Sequence, residues 1–168
     1  MKKLLLLTIV LASLLSCAQE KNTGDVTVYY FIRHAEKDRS NPQLTDPHLT
    51  EKGKERAQKW ATVFGQVNFD AVYSTDYSRT LQTARPTATR QQLDIISYDP
   101  KTLHIEEFKR DTRGKTVLVV GHSNTTPILV NALLGRKKYA DIEDNNNANL
   151  YIVTVTPNSI SDMVLKID

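Results

Sequence analysis

The sequence predicts a three-layer α/β/α domain built on a mostly parallel sheet, and three observations carry that reading. Strand-like and helix-like segments alternate from Val26 onward, the pattern of a sheet covered by helices on its faces. One strand-like run, Val117 to Val120, is apolar at every position, as befits a strand buried on both faces. Residues able to do chemistry stand just beyond strand-like runs, at Arg33-His34, Arg79 and His122, and open parallel sheets bind ligands at the carboxyl ends of their strands. With 168 residues, the chain has room for one domain with a core and not for two.

The chain opens with MKKLLLLTIVLASLLSC. Its positive head and apolar run of roughly a dozen residues are too short for a bilayer span and of the length of a signal-peptide core. The run ends at Leu14-Leu15-Ser16-Cys17, and Cys17 is the single cysteine of the chain. This stretch resembles the lipobox of bacterial lipoproteins, although Leu15 is larger than the residue usual at its position. The resemblance implies a lipoprotein signal peptide over 1–16, a lipidated Cys17 with a polar tether to residue 25, and a domain over 26–168. It also implies a location in the bacterial cell envelope. Ala18 after the cysteine, in place of Asp, points to the outer membrane. The competing reading is a plain secretory leader. With Cys17 taken by lipid, no thiol remains for a disulfide or a nucleophile.

Val26 to Ile32 is β-branched and aromatic, a strand ending at Arg33-His34. Charged, Pro-containing residues from Ala35 to Leu49 read as a loop. Thr50 can cap a helix with Glu51 in its first turn and Ala57, Trp60, Ala61 and Phe64 at helical spacing. A short strand is expected at Phe69–Tyr73, then a helix at Arg79–Arg90 that Pro86 should kink or break. Leu93–Tyr98 reads as a strand closed by Asp99-Pro100, and Thr102–Arg110 as one short helix. After Val117–Val120 come Gly121-His122 and a helix with Pro127 in its first turn, ending at Leu134-Gly135. Residues 136–149 form a polar loop. Strands near Leu150–Val155 and Ile160–Ile167 flank a Pro157-Asn158 turn.

Net charge does not favour a nucleic-acid partner: 22 Lys and Arg face 19 Asp and Glu, and Lys2 and Lys3 of the leader account for most of the excess. The three strand-end positions instead suggest an anion site. Two guanidiniums and two imidazoles would meet at one rim of the sheet, and Arg offers phosphate a planar, bidentate fork. Gly121-His122-Ser123-Asn124 opening a helix would add backbone N–H groups and the positive end of the helix dipole. His48 reads as solvated and His104 as a surface residue. The acidic run from Asp141 to Asp144 lacks the spacing of a calcium loop and reads as solvated.

Four blocks then resemble the histidine phosphatase superfamily, the phosphoglycerate mutase-like group. They are Phe31-Ile32-Arg33-His34-Ala35-Glu36, Leu49-Thr50-Glu51-Lys52-Gly53, the run from Val72 through Arg79 to Gln82-Thr83-Ala84, and Val119-Val120-Gly121-His122-Ser123-Asn124. They occur in the family's order and, from Val26 to about Leu134, cover most of the chain beyond the leader. The resemblance implies that His34 attacks phosphorus and forms a phosphohistidine. His34 must then be neutral, and Arg33 and Arg79 should disfavour its protonated form. Arg33, Arg79 and His122 would hold the phosphoryl oxygens, with Asn124 and Glu36 also placed at the substrate. No metal and no cofactor is implied, and the expected partner is a small phosphorylated substrate, besides the membrane reached through Cys17.

The proton donor is where this sequence departs from the family, many of whose members place a Glu after the third strand. Here Asp99 is the first candidate, Glu106 the second, and Glu36, near the nucleophile, the third. A phosphomonoester hydrolase is the leading expectation. The alternatives are a protein phosphohistidine phosphatase of the same fold, which has less need of an acid, and an inactive lipoprotein that binds phosphorylated ligands.

Overall fold

In the computed structural model, which describes residues 26–168, strand and helix alternate as β1 (Thr27–Arg33), α1 (Glu51–Val63), β2 (Ala71–Ser74), α2 (Ser78–Arg90), β3 (Ile95–Ser97), α3 (Ile105–Asp111), β4 (Thr116–Gly121), α4 (Thr125–Leu134), β5 (Asn149–Val155) and β6 (Ile160–Lys166). The expected signal peptide, Cys17 and tether lie outside the described residues. The strands form one six-stranded sheet in the order β3-β2-β4-β1-β5-β6. β3, β2, β4 and β1 run parallel, while β5 and β6 are antiparallel to their neighbours.

The period of two along β4 explains the layers. Val117 and Val119 join Phe108 of α3 and Leu129, Val130 and Leu133 of α4 in one apolar cluster. Leu118 and Val120 join Trp60 of α1, Phe64 at its end, and Ala84 and Ala88 of α2 in the other. Those four β4 side chains are at most 1% exposed, each worth roughly 1.5–3 kcal/mol of burial. The apolar run therefore serves two cores at once, with helices on both faces.

The structure differs from the sequence expectation in three places. Helix α2 runs unbroken from Ser78 to Arg90 with Pro86 inside it. Proline removes one i→i−4 hydrogen bond, and the buried Thr83, Ala84, Thr87 and Ala88 on both sides of it hold the helix against the sheet and α1. Helix α3 begins at Ile105, later than expected, because the carbonyl of Asp99 accepts from the N–H groups of Thr102 and Leu103 in a preceding turn. The 35–49 segment closes on itself through a bridge between Lys37 and Leu49.

Connectivity positions the site. From β1 the chain passes through α1 to β2, beyond β4, whereas from β4 it passes through α4 to β5, beyond β1. Adjacent parallel strands thus send the chain in opposite directions, and the crevice past their carboxyl ends is where such sheets take ligands.

Candidate active site

Arg33 is in register with Gly121 across the β1–β4 pair, so His34 and His122 are the first residues past two adjacent strand ends. Their ring centroids lie 5.5 Å apart at 65°. The strand end before His122 is closely packed: a Cβ at Gly121 would stand 2.9 Å from both Tyr98 Oη and Thr126 Oγ1.

His34 is 3% exposed, and its backbone is held on all sides. Its N–H donates to Gly121 O at 2.9 Å, Asn147 Nδ2 donates to its carbonyl at 2.7 Å, and the next N–H, of Ala35, donates to Thr83 Oγ1 at 2.9 Å. Nδ1 lies 2.7 Å from Ala35 O. A carbonyl only accepts, so Nδ1 carries the proton and Nε2 keeps its lone pair. Burial is the main reason the imidazole pKa falls from 6.5 to about 3; the Ala35 hydrogen bond opposes it, and Arg33, His122 and Arg79 add to it. Arg33 and Arg79 thus disfavour the protonated form as expected, but desolvation outweighs them.

His122 likewise falls to about 4, by burial first and then by Arg79, Lys37 and Arg33, with Asp46 opposing. Its Nε2 is 2.9 Å from Thr75 Oγ1, and Tyr77 meets the ring edge-on at 5.1 Å. The Arg79 guanidinium lies 4.3 Å over the Tyr77 ring, with Nη1 3.4 Å from Asp46 Oδ1. Asp46 also receives the backbone N–H and hydroxyl of Ser78, closing the start of α2 from a distant loop. Arg33 does not offer the expected open fork. Nη1 donates to the carbonyls of Glu143, Asp144 and Asn146, and Nη2 to Asp144 Oδ1 at 2.9 Å. The Nε atoms of both Arg33 and Arg79 are buried with no hydrogen-bond partner among the described residues. An anion is the natural complement of such donors.

Beside this cluster opens a cleft of about 690 Å³ lined by His122, Arg79, Tyr77, Asp76, Asp99 and Asn124 among others. Asp99 is exposed, and its Oδ1 accepts from the N–H of Lys101 at 2.9 Å. Asn124 caps α4 without a side-chain hydrogen bond to it. Glu36 is displaced from both the substrate-binding and the acid role considered for it. Arg56 Nε sits 3.0 Å from each of its oxygens, with Lys52 at 3.8 Å, so its carboxylate is already neutralised. Glu106 is displaced more completely: it pairs with Lys109 at 3.0 Å and lines a separate cavity with Thr27, at the opposite end of β1, about 20 Å away along a strand of that length.

Several residues here carry no sequence signal. Asp46 reads as one turn residue among many, and Asp144 and Asn147 sit in the stretch expected to be merely solvated. Instead, that stretch grips Arg33 and His34. Asp76, beside Thr75 and Tyr77, is a second carboxylate in the cleft that the sequence reading passed over. No group of His, Cys, Asp and Glu able to hold a metal occurs among the described residues.

Residues 29–100 match the family model described as Histidine phosphatase superfamily (branch 1). Phosphoserine phosphatase 1 of Hydrogenobacter thermophilus is 36% identical over 73 residues, which cover 40% of this chain but only 34% of that protein. YhfR of Bacillus stearothermophilus superposes with a TM-score of 0.67 at 16% identity, over 84% of this chain and 98% of its own. The alpha-ribazole phosphatase of Shigella flexneri gives 0.66 at 17%, over 83% and 96%. At such identities the two structures share the fold.

Proposed function

Since the chain carries a histidine phosphatase superfamily domain, we propose that it hydrolyses phosphomonoesters through a phosphohistidine formed on His34. The observation that carries this reading is the state of His34: a buried, neutral imidazole with Nδ1 fixed on Ala35 O, beside two guanidiniums with unpartnered buried Nε groups. Nε2 attacks phosphorus in line, the N–P bond forms as the ester P–O bond breaks, and the departing oxygen takes a proton from an acid or from water. Water then attacks the phosphohistidine, releasing inorganic phosphate and restoring the neutral ring. Arg33 through Nε, Arg79 and His122 meet the charge that builds on the phosphoryl oxygens, and Asn124 borders the same cleft. Fixed cations supply the electrostatics in this scheme, so the rate is expected to be unchanged by EDTA.

His34→Ala tests the mechanism. It should remove nearly all activity while circular dichroism stays unchanged, and the wild type should trap an acid-labile, base-stable phosphoryl label during turnover. Retention of more than about a tenth of the rate excludes His34 as the nucleophile, because a lost covalent route costs far more than that.

Phosphoserine phosphatase 1 suggests small phosphorylated metabolites as substrates. The proposal extends to the anchor: lipid on Cys17 would hold the domain in the bacterial envelope. Labelled palmitate should then appear on the wild type and not on Cys17→Ser, and a soluble, unlabelled wild type would leave only a plain secretory leader.

A further inference from the structure

Behind His122 lies a pair of buried hydroxyls, Thr75 at 1% and Thr80 at 0% exposure. Thr80 Oγ1 sits 2.7 Å from Thr75 O and 2.9 Å from Tyr77 O. Carbonyls only accept, so the Thr80 proton is committed to them and its oxygen is left as an acceptor. Thr75 Oγ1 donates to that oxygen at 3.0 Å, and its own lone pair then faces His122 Nε2 at 2.9 Å. Reversing the chain would strip the buried Thr80 oxygen of its donor, which is unfavourable where water cannot replace it. The hydrogen bonds therefore run one way, from His122 Nε2–H to Thr75, to Thr80, to the backbone.

We infer that Thr75 is a positioning residue that holds His122 as the Nε2–H tautomer, leaving Nδ1 as the only ring nitrogen able to face a phosphoryl group. The inference rests on the phosphoryl-binding reading of the site and adds which His122 nitrogen does the binding. Before phosphate binds the ring is neutral: burial, Arg79 from α2, Lys37 beyond β1 and Arg33 from β1 oppose its charging. Asp46 favours charging, the exposed carboxylates of Asp76 and Asp99 border the same cleft, and the neighbouring His34 ring is uncharged. A bound phosphoryl dianion reverses that balance. Nδ1 then takes a proton from solvent and donates it to a phosphoryl oxygen, while Nε2 stays on Thr75.

Long-range ¹H–¹⁵N spectra of the imidazoles test this directly, with and without inorganic phosphate. The free protein should show His122 protonated at Nε2 alone, and saturating phosphate should add the Nδ1 proton. Thr75→Val, close in shape, should release the tautomer and lower kcat/KM roughly 10- to 100-fold, the range seen when the outer partner of a metal-bound histidine is removed. Thr75→Ser, which keeps the hydroxyl, should recover most of that loss. A free protein protonated at Nδ1, or a Thr75→Val variant with unchanged tautomer and rate, overturns the inference. The spectra do not depend on turnover, so an active His34→Ala protein would defeat the phosphohistidine mechanism while leaving the tautomer result standing.

Discussion

At the scale of single residues, the structure narrows the choice of acid by removing competitors. Glu36 is consumed by Arg56, and Glu106 stands at the far end of the sheet. Asp99 and Asp76 remain, both exposed carboxylates on the cleft. Expelling an alkoxide needs a proton, and general acid help is typically worth about 10²–10⁴-fold; p-nitrophenolate leaves without it. Asp99→Asn keeps an oxygen for the Lys101 N–H, so the turn should survive. If Asp99 is the donor, this variant should lose most activity on alkyl phosphates and keep much of it on p-nitrophenyl phosphate. Equal losses on both substrates would mean that Asp99 shapes the cleft. No loss on either would move the same paired test to Asp76→Asn.

At the scale of elements, the start of α1 shows how local sequence rules serve the site. Thr50 Oγ1 accepts from the Gly53 N–H at 3.1 Å, while the Thr50 N–H donates to Glu36 O at 2.9 Å. The helix is thereby hung on the backbone two residues beyond His34. Gly53 is what permits the contact, since a Cβ there would meet Glu36 O at 2.2 Å. In an exposed helix, Gly→Ala stabilises by about 1 kcal/mol. Here the clash reverses the sign, and Gly53→Ala should lower stability by about 1–3 kcal/mol in urea unfolding, the scale of an overpacked core. Activity should fall with it, because Glu36 moves with the His34 segment. An alanine variant more stable than the wild type would show that the contact is not tight. Helix α2 works in the same way. Arg79 reaches the cleft, Gln82 holds the Leu49 N–H at 2.8 Å, and Thr83 holds the Ala35 N–H, so one helix face presents Arg79 and fastens both ends of the 35–49 segment.

For the whole molecule, two neutral imidazoles, His34 buried and His122 half-buried, make acid a specific stress. Their pKa values stand near 3 and 4, against 6.5 for an ordinary histidine. Below pH 6.5 the unfolded chain takes up protons at these rings that the folded chain refuses. Stability therefore falls as pH falls, until about pH 3. His34→Gln should flatten that slope in chemical unfolding measured from pH 7 to 4, and an unchanged slope would show that His34 is not buried neutral. Much of this protein was legible in its sequence. Periodicity of two and of 3.6 reports which faces are buried, so the alternating elements and the doubly buried β4 follow from local pattern alone. The strand-end placement of Arg33, His34 and His122 follows from the same pattern, because it depends only on chain neighbours. What only the tertiary structure decided are relations between residues far apart in the chain. These are the register that sets His34 beside His122, the commitment of Arg33 to the 143–146 carbonyls, the capture of Glu36 by Arg56 and the survival of α2 through Pro86. Each depends on which surfaces meet when the sheet closes, and on buried polar groups taking whatever partner that closure brings within reach.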